Sequence, residues 1–142
     1  MKTTLLLLFA CVTMSAQITT MGTELKEPTV ISNGKNLGLE VSYLNTEEGR
    51  YYTFMYQNRE RVAFIDFRSI SFFASDSELE TFYADVKGLL ETEKEKAYTL
   101  NEANVIVKPI GKYLYFFVSK PGEPDSMFFI TEKNLKKAFG KA

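Results

Sequence analysis

The chain has 142 residues, with 17 basic and 18 acidic side chains, no histidine, no tryptophan and a single cysteine. This length corresponds to one domain, with a core large enough to fold without disulfides or metal. The lack of histidine excludes a Ser-His-Asp triad, a histidine base and a histidine-ligated metal. Because the only cysteine, Cys11, lies in the N-terminal segment, we expect neither a metal site nor a cofactor in the folded domain.

Residues 1–16 have the features of an export signal. A positive charge precedes an apolar run over residues 3–14, and small residues stand before a cleavage site after Ala16. The run is shorter than the roughly 20 residues needed to span a bilayer. We therefore expect a periplasmic or secreted protein without a transmembrane segment. Residues 8–11 also resemble a bacterial lipoprotein box, which would instead anchor the protein through a lipid on Cys11.

The rest of the chain divides into a polar leader, residues 17–36, and a single domain, residues 37–142. Alternation of apolar and polar residues predicts three strands at the start of this domain. They cover residues 37–44, 50–57 and 62–73, and the turns between them are rich in polar residues and glycine.

A helix is predicted after the third strand. Ser75 and Glu78 form a capping box, and apolar residues recur at helical spacing from Leu79 to Leu90. Alternating charges extend the predicted helix to Lys96.

The second half of the domain is predicted to contain three more strands and a short helix. Thr131 caps this helix, and Gly140 follows its last turn. The predicted strands cover residues 104–108, 112–119 and 127–130.

The two halves of the domain are similar in sequence. Phe72-Phe73 and Phe128-Phe129 each precede a capped helix, and residues 49–55 parallel residues 111–117. This similarity is typical of a duplicated βββα unit. The alternative is coincidence, because any strand that leads into a capped helix is built from the same few residue types. We predict an α+β fold with a mostly antiparallel six-stranded sheet and two helices on one face.

The search for catalytic groups gives one weak candidate. Without histidine, acid–base chemistry falls to Asp, Glu, Lys or Tyr. Asp66 lies in a predicted strand and shares a face with Arg68, so an ion pair is the simpler interpretation. The sequence contains no nucleophile or phosphate-binding motif. A histidine-free hydrolase or lyase using Asp66 is the alternative to the non-enzymatic protein that we favour.

Basic residues do not indicate nucleic-acid binding. Four lysines, the first Lys133 and the last Lys141, give the C-terminal helix a basic side, but the chain as a whole is slightly acidic. A solvated helix face explains them, so we expect no nucleic-acid partner.

Most of the 12 Phe and 8 Tyr residues must lie in the core. Strand alternation nevertheless places Tyr113, Tyr115 and, through the repeat, Tyr51 opposite the helices, with Arg68 and Lys108 at the side of this open face. Exposed aromatic surface is typical of binding sites. The expected partners are a second copy of the chain or a co-expressed envelope protein, and the expected ligands are a glycan or a peptide. The alternative is that the leader folds over this face and hides it.

Overall fold

A computed structural model describes residues 26–32, 38–61 and 63–141. Within these ranges the chain forms eight strands and two helices in the order ββββα-ββββα. The α+β class is therefore confirmed, but the predicted six-stranded sheet is wrong, because the strands form two four-stranded antiparallel sheets. The predicted export signal lies outside the described residues.

The N-terminal sheet is a meander in which each strand pairs with the next one in the chain. A helix, α1 (Asp76–Thr92), follows it and begins at the predicted capping box of Ser75 and Glu78. The strands are β1 (Thr29–Val30), β2 (Leu39–Thr46), β3 (Gly49–Gln57) and β4 (Phe67–Ala74).

The C-terminal sheet has the same topology. It is followed by α2 (Glu132–Ala138), where the Thr131 hydroxyl accepts a hydrogen bond from the Asn134 N–H, as the sequence predicts. The strands are β5 (Lys96–Leu100), β6 (Ala103–Ile110), β7 (Tyr113–Ser119) and β8 (Ser126–Thr131).

Two strands were missing from the sequence-based assignment. The charged residues after α1 do not extend it, because Glu93 adopts a left-handed conformation (φ 56°) that ends the helix. Lys96 then starts β5 and pairs with Asp85 of α1 at 2.6 Å. In the leader, Thr29–Val30 forms β1 and adds an edge strand to β2.

One strand is shorter than predicted. The predicted strand over residues 62–73 begins only at Phe67, and the Asn58 N–H donates to the Asp66 carbonyl at 2.7 Å. That bond closes a loop between β3 and β4 in place of the first residues of the predicted strand.

Both sheets and both helices contribute to one hydrophobic core. Each helix contacts both sheets, α1 through β4 and β6 and α2 through β2 and β8. The helices therefore do not lie on one face of a single sheet, as the sequence analysis expected. Between the sheets, the Tyr56 ring stacks on Phe128 at 4.5 Å, and its hydroxyl contacts the Ser126 hydroxyl at 2.7 Å.

The two halves pair their strands in the same register. Tyr51 lies directly opposite Phe73, and Tyr115 lies directly opposite Phe129. Tyr51 therefore corresponds to Tyr115, whereas the sequence comparison matched it with Tyr113. The difference arises because Gly49 belongs to β3 and pairs with Thr46 of β2. Gly111, its match in the sequence comparison, instead lies in the turn before β7.

The connection between the third and fourth strands differs between the halves. Phe54 pairs with Ile70, 16 positions later, whereas the equivalent residue Val118 pairs with Ser126, 8 positions later. The first half therefore has a longer hairpin, with three further pairs that end at Gln57 and Phe67. It also has a longer connection, the β3–β4 loop (residues 58–66, of which residue 62 is not described).

Candidate binding surface

Four aromatic side chains cluster on the outer side of the C-terminal sheet. Tyr113, Tyr115 and Phe117 are consecutive outward residues of β7, since the residues between them are buried. Tyr115 lies 6.4 Å from the rings on either side of it, and Phe129 of β8 lies 5.2 Å from Tyr115. We call the outward surface of β6, β7 and β8 the aromatic face.

Aliphatic side chains extend this surface. Ile106 and Ile110 of β6 lie opposite Phe117 and Tyr113 and are exposed. Met127 of β8 lies on the other side of Phe117 and is half-buried. The surface is therefore apolar across three strands, not along one strand only.

The charged groups around the aromatic face are basic. Lys108 lies directly opposite Tyr115, the Lys112 ammonium is 5.3 Å from the centre of the Tyr113 ring, and the Arg59 guanidinium is 5.9 Å from the centre of the Phe129 ring. The outward positions of β6, β7 and β8, all fully described, carry no acidic residue. The face is thus both apolar and electropositive.

Three of the five residues proposed from the sequence lie together here: Tyr113, Tyr115 and Lys108. Tyr51 lies on the outer side of the N-terminal sheet, 4.8 Å from the Phe73 ring. It lines a polar cleft of about 250 Å³ that also includes Lys120. The expected single face is therefore divided between two sheets.

The fifth residue, Arg68, lies on the opposite side of its strand from the one expected. It lies on the same side of β4 as the buried residues Ile70 and Phe72, because β4 pairs with β3 without interruption from Phe67 to Ala74. Its guanidinium donates to Asp66 at 2.9 Å and to Glu123 at 3.4 Å.

Asp66 has the environment of a structural carboxylate. One oxygen accepts from Arg68 and the other from the Asn58 amide at 3.1 Å. These two hydrogen bonds, that from Arg68 first, hold the pKa of Asp66 below its usual value. The carboxylate therefore stays ionised near neutral pH with both oxygens engaged, and it closes the base of the β3–β4 loop.

The described part of the leader extends the N-terminal sheet. Besides the pairing of β1, the Ile31 N–H donates to the Val41 carbonyl at 2.9 Å, and the Ser32 hydroxyl donates to the Ala138 carbonyl at 3.4 Å. The rest of the leader lies outside the described residues, so its predicted role as a cover over the aromatic face stays open.

Sequence reasoning missed Ile106, Ile110, Met127, Phe129 and Arg59 as parts of this surface. A usable signal was present in β6, where Ile106 stands between the buried residues Val105 and Val107. A strand with apolar residues on both faces is typical of a sheet that is covered on both faces, so this run indicated a contact on the outward face as well as the core contact on the inward face. Arg59 is distant in sequence from the strands of the aromatic face. The hydrogen bond from its backbone N–H to the Met127 carbonyl brings it next to β8.

The chain matches no protein-family model, and comparison with curated proteins and with solved structures finds no significant similarity. Among the described residues, no helix is long and apolar enough to cross a membrane. In that same part of the chain, no three His, Cys, Asp or Glu side chains are grouped so that they could hold a metal ion.

Proposed function

We propose that the protein is a non-catalytic binding module whose aromatic face docks an apolar and acidic surface of another protein. The observation that carries this proposal is a difference between the two sheets at equivalent outward positions. Each sheet keeps one Tyr-Phe pair, Tyr51 with Phe73 and Tyr115 with Phe129. Around that shared pair, the two sheets have different chemistry.

Small and polar residues stand at most positions beside the pair in the N-terminal sheet, although Leu44 lies opposite Tyr51 where Lys108 lies opposite Tyr115. Thr53 and Ser71 face each other there, with their hydroxyl oxygens 2.9 Å apart, where the C-terminal sheet has Phe117 and Met127. The other equivalences by register are Ser42 with Ile106, Thr46 with Ile110, and Gly49 with Tyr113.

A sheet face that only meets water does not need these larger apolar residues. Antiparallel sheets commonly pair one buried apolar face with one polar face in solvent. At five positions the aromatic face has large apolar or aromatic residues where the other sheet has Ser, Thr or Gly. Contiguous apolar surface of this kind marks contact sites, and Tyr, Phe and Met are enriched in the centres of protein interfaces.

The charge of the face favours a different protein over a second copy of this chain. A two-fold symmetric dimer would place the same patch on both sides of the interface. Lys108 and Lys112 of both copies would then share one interface without an acidic residue from β6, β7 or β8 to offset them. An acidic partner gains from the same lysines through complementary charge.

A glycan is less well matched to this surface. Sugars require a dense set of hydrogen-bonding groups around the aromatic ring. The outward residues nearest Tyr115 are instead mostly apolar, and Lys108 supplies the main charged donor.

Photo-crosslinking at residue 117 tests the proposal. A benzoylphenylalanine placed at Phe117 in cells of the source organism should capture a protein that the same group at Phe73 does not capture. The captured protein, once purified, should bind the wild-type chain directly. A crosslink only to another copy of this chain, or no direct binding after purification, would contradict the proposal.

We infer that the protein acts in the cell envelope or outside the cell, which rests on residues 1–16 alone. Intact-mass measurement of protein from the source organism tests this inference. A chain beginning at Gln17 supports a periplasmic or secreted protein. A chain beginning with a lipid-modified Cys11 supports the anchored alternative, and an unprocessed chain contradicts both.

A further inference from the structure

The polar cleft beside Tyr51 lies where the two sheets meet. One wall is the free edge of β4, the last strand of the N-terminal sheet, and the other is the turn between β5 and β6. The cleft has a volume of about 250 Å³, somewhat below the roughly 300–1,000 Å³ of sites for drug-sized ligands. It therefore has room for a single small ring. Six polar side chains line it: Tyr51, Ser69, Ser71, Asn101, Glu102 and Lys120.

Two hydrogen bonds between the halves of the domain hold the walls of the cleft together. The Lys120 ammonium donates to the Ser69 carbonyl at 3.0 Å, and the Asn101 amide donates to the Ser71 carbonyl at 3.4 Å. Asn101 adopts a left-handed conformation (φ 56°), which asparagine accepts more readily than most residues. The cleft is thus formed by the fold itself, so a ligand does not have to order these walls on binding.

The cleft keeps hydrogen-bonding groups that the fold does not use. The Lys120 ammonium has three N–H donors, of which one binds Ser69, while the Glu123 carboxylate lies 3.5 Å away. Four other groups make no side-chain hydrogen bond or ion pair with another residue of the described ranges. They are the hydroxyls of Tyr51 and Ser69, the side-chain carbonyl oxygen of Asn101 and the carboxylate of Glu102. Since Lys120 and Glu102 carry opposite charges, the cleft combines donors and acceptors without a clear excess of either charge.

We propose that the polar cleft binds one neutral hexopyranose ring of a saccharide. The hydroxyls of such a ring both donate and accept hydrogen bonds, so they can use the Glu102 carboxylate as an acceptor and the Lys120 ammonium as a donor. The opposite charges of these two side chains give neither an acidic nor a basic sugar an advantage. The Tyr51 ring, whose centre lies 4.8 Å from that of Phe73, supplies an amphipathic aromatic surface for the apolar C–H groups of the sugar.

The same Tyr-Phe pair on the aromatic face lacks this set of polar groups. Around Tyr115 the outward residues are mostly apolar, and Lys108 is the main charged donor. A saccharide is therefore expected at Tyr51 and the protein partner at Tyr115. Because the two sites lie on different sheets, this proposal does not rest on the proposed function.

Nuclear magnetic resonance on the full chain tests the proposal with defined probes, the methyl glycosides of glucose, galactose, mannose and N-acetylglucosamine. We expect saturation transfer to at least one of them, with a dissociation constant of about 1–10 mM, because a single sugar ring makes few contacts. The bound probe should shift the backbone amide signals of Ser69, Ser71 and Glu102. The amide signals of Tyr115 and Phe117 should not move.

Two variants test which side chains hold the sugar. Glu102→Gln removes the charged acceptor, and Tyr51→Ser removes the ring and its hydroxyl, so each should weaken binding by about fivefold or more. Glu102 is exposed in the turn, so Glu102→Gln tests the cleft without disturbing the packing of Tyr51 on Phe73. The matched controls are Glu95→Gln and Tyr115→Ser, which should bind the sugar as the wild type does.

Any of the following results would overturn the proposal. They are saturation transfer to none of these glycosides, amide shifts on the aromatic face in place of the cleft, wild-type affinity in Glu102→Gln, and equal losses of affinity in Tyr51→Ser and Tyr115→Ser. None of them bears on the protein captured at residue 117, so this proposal and the proposed function fail separately.

Discussion

Tyr51 and Tyr115 occupy equivalent positions in the two sheets, and each lies opposite a phenylalanine of the following strand. Their ring pairs are similar, with centroids 4.8 Å apart for Tyr51 and Phe73 and 5.2 Å apart for Tyr115 and Phe129. The same Tyr-Phe pair therefore occurs on both sheets. Its neighbours are mostly small and polar on the N-terminal sheet and mostly apolar on the C-terminal sheet. This provides a matched internal control for experiments on the aromatic face.

The contact between Tyr56 and Ser126 should couple the two sheets energetically. Their hydroxyls meet at 2.7 Å in the core, so Tyr56→Phe or Ser126→Ala alone leaves one buried hydroxyl without its partner. We expect each single change to lower the free energy of unfolding by about 1–2 kcal/mol. The double variant should lose less than the sum, as measured in a urea-unfolding cycle. Additive losses would show that the hydroxyls do not interact.

Asn58→Ala should destabilise the protein more than most polar substitutions. It removes an acceptor for two backbone N–H groups and the amide that binds Asp66. We expect a loss of about 1–3 kcal/mol in the free energy of unfolding. Asn104→Ala, on the exposed side of β6, is the control and should change it by less than about 0.5 kcal/mol. Equal effects would contradict the role assigned to Asn58.

Asp66 should contribute to the acid sensitivity of the fold. Its pKa is lowered in the folded state by Arg68 and Asn58, so the folded state favours the ionised form. The resulting stability is present above the unfolded pKa of about 4 and is lost as the pH falls further towards the folded pKa. Asp66→Asn should therefore reduce the drop in melting temperature between pH 5 and pH 2, taken as approximate limits. Parallel curves for the two proteins would contradict this.

Tyr98 should contribute to sensitivity at alkaline pH. Burial, and then its hydrogen bond of 2.7 Å to Asp85, raise the pKa of the Tyr98 hydroxyl. The stability from this group is fully present below the unfolded pKa of about 10 and is lost as the pH rises through the folded pKa. Tyr98→Phe should lower stability by about 1 kcal/mol at neutral pH and flatten the decline above pH 10. A decline as steep as in the wild-type protein would contradict the assignment.

Local patterns predicted the helices and the inward side of the strands well. Ser75 and Thr131 begin the two helices as expected, because capping depends on residues close together in sequence. The alternating residues expected inside on β3 and β7 are buried in the core. They are Tyr52, Phe54, Tyr56, Leu114, Phe116 and Val118.

Features set by distant contacts were not predictable in this way. Lys96 lies in a charged run typical of a helix, yet pairing with β6 and contact with Asp85 place it in a strand. Arg68 was placed on the side of Tyr51, but the uninterrupted pairing of β4 with β3 puts it on the side of Ile70 and Phe72. The division into two sheets separated Tyr51 from Tyr115, since local alternation carries no information about which strands share a sheet.

Folding of the aromatic-face variants must be separated from their binding. Tyr113 and Tyr115 are half-buried on the outer surface, and neither belongs to the core. We expect Tyr113→Ser/Tyr115→Ser to keep a cooperative thermal transition and the wild-type circular dichroism spectrum. Loss of the folded state in this variant would mean that the face is part of the core, and the binding proposal would then be wrong.

The most direct test compares Tyr115→Ser with Tyr51→Ser in binding to the purified protein captured at residue 117. The two changes remove the same side chain from equivalent positions. Isothermal titration should show an affinity at least about tenfold weaker for Tyr115→Ser, because a central aromatic residue of an interface carries much of the binding energy. The Tyr51→Ser variant should bind as the wild type does. Equal affinities for the two variants, or a greater loss for Tyr51→Ser, would contradict the assignment of binding to the aromatic face.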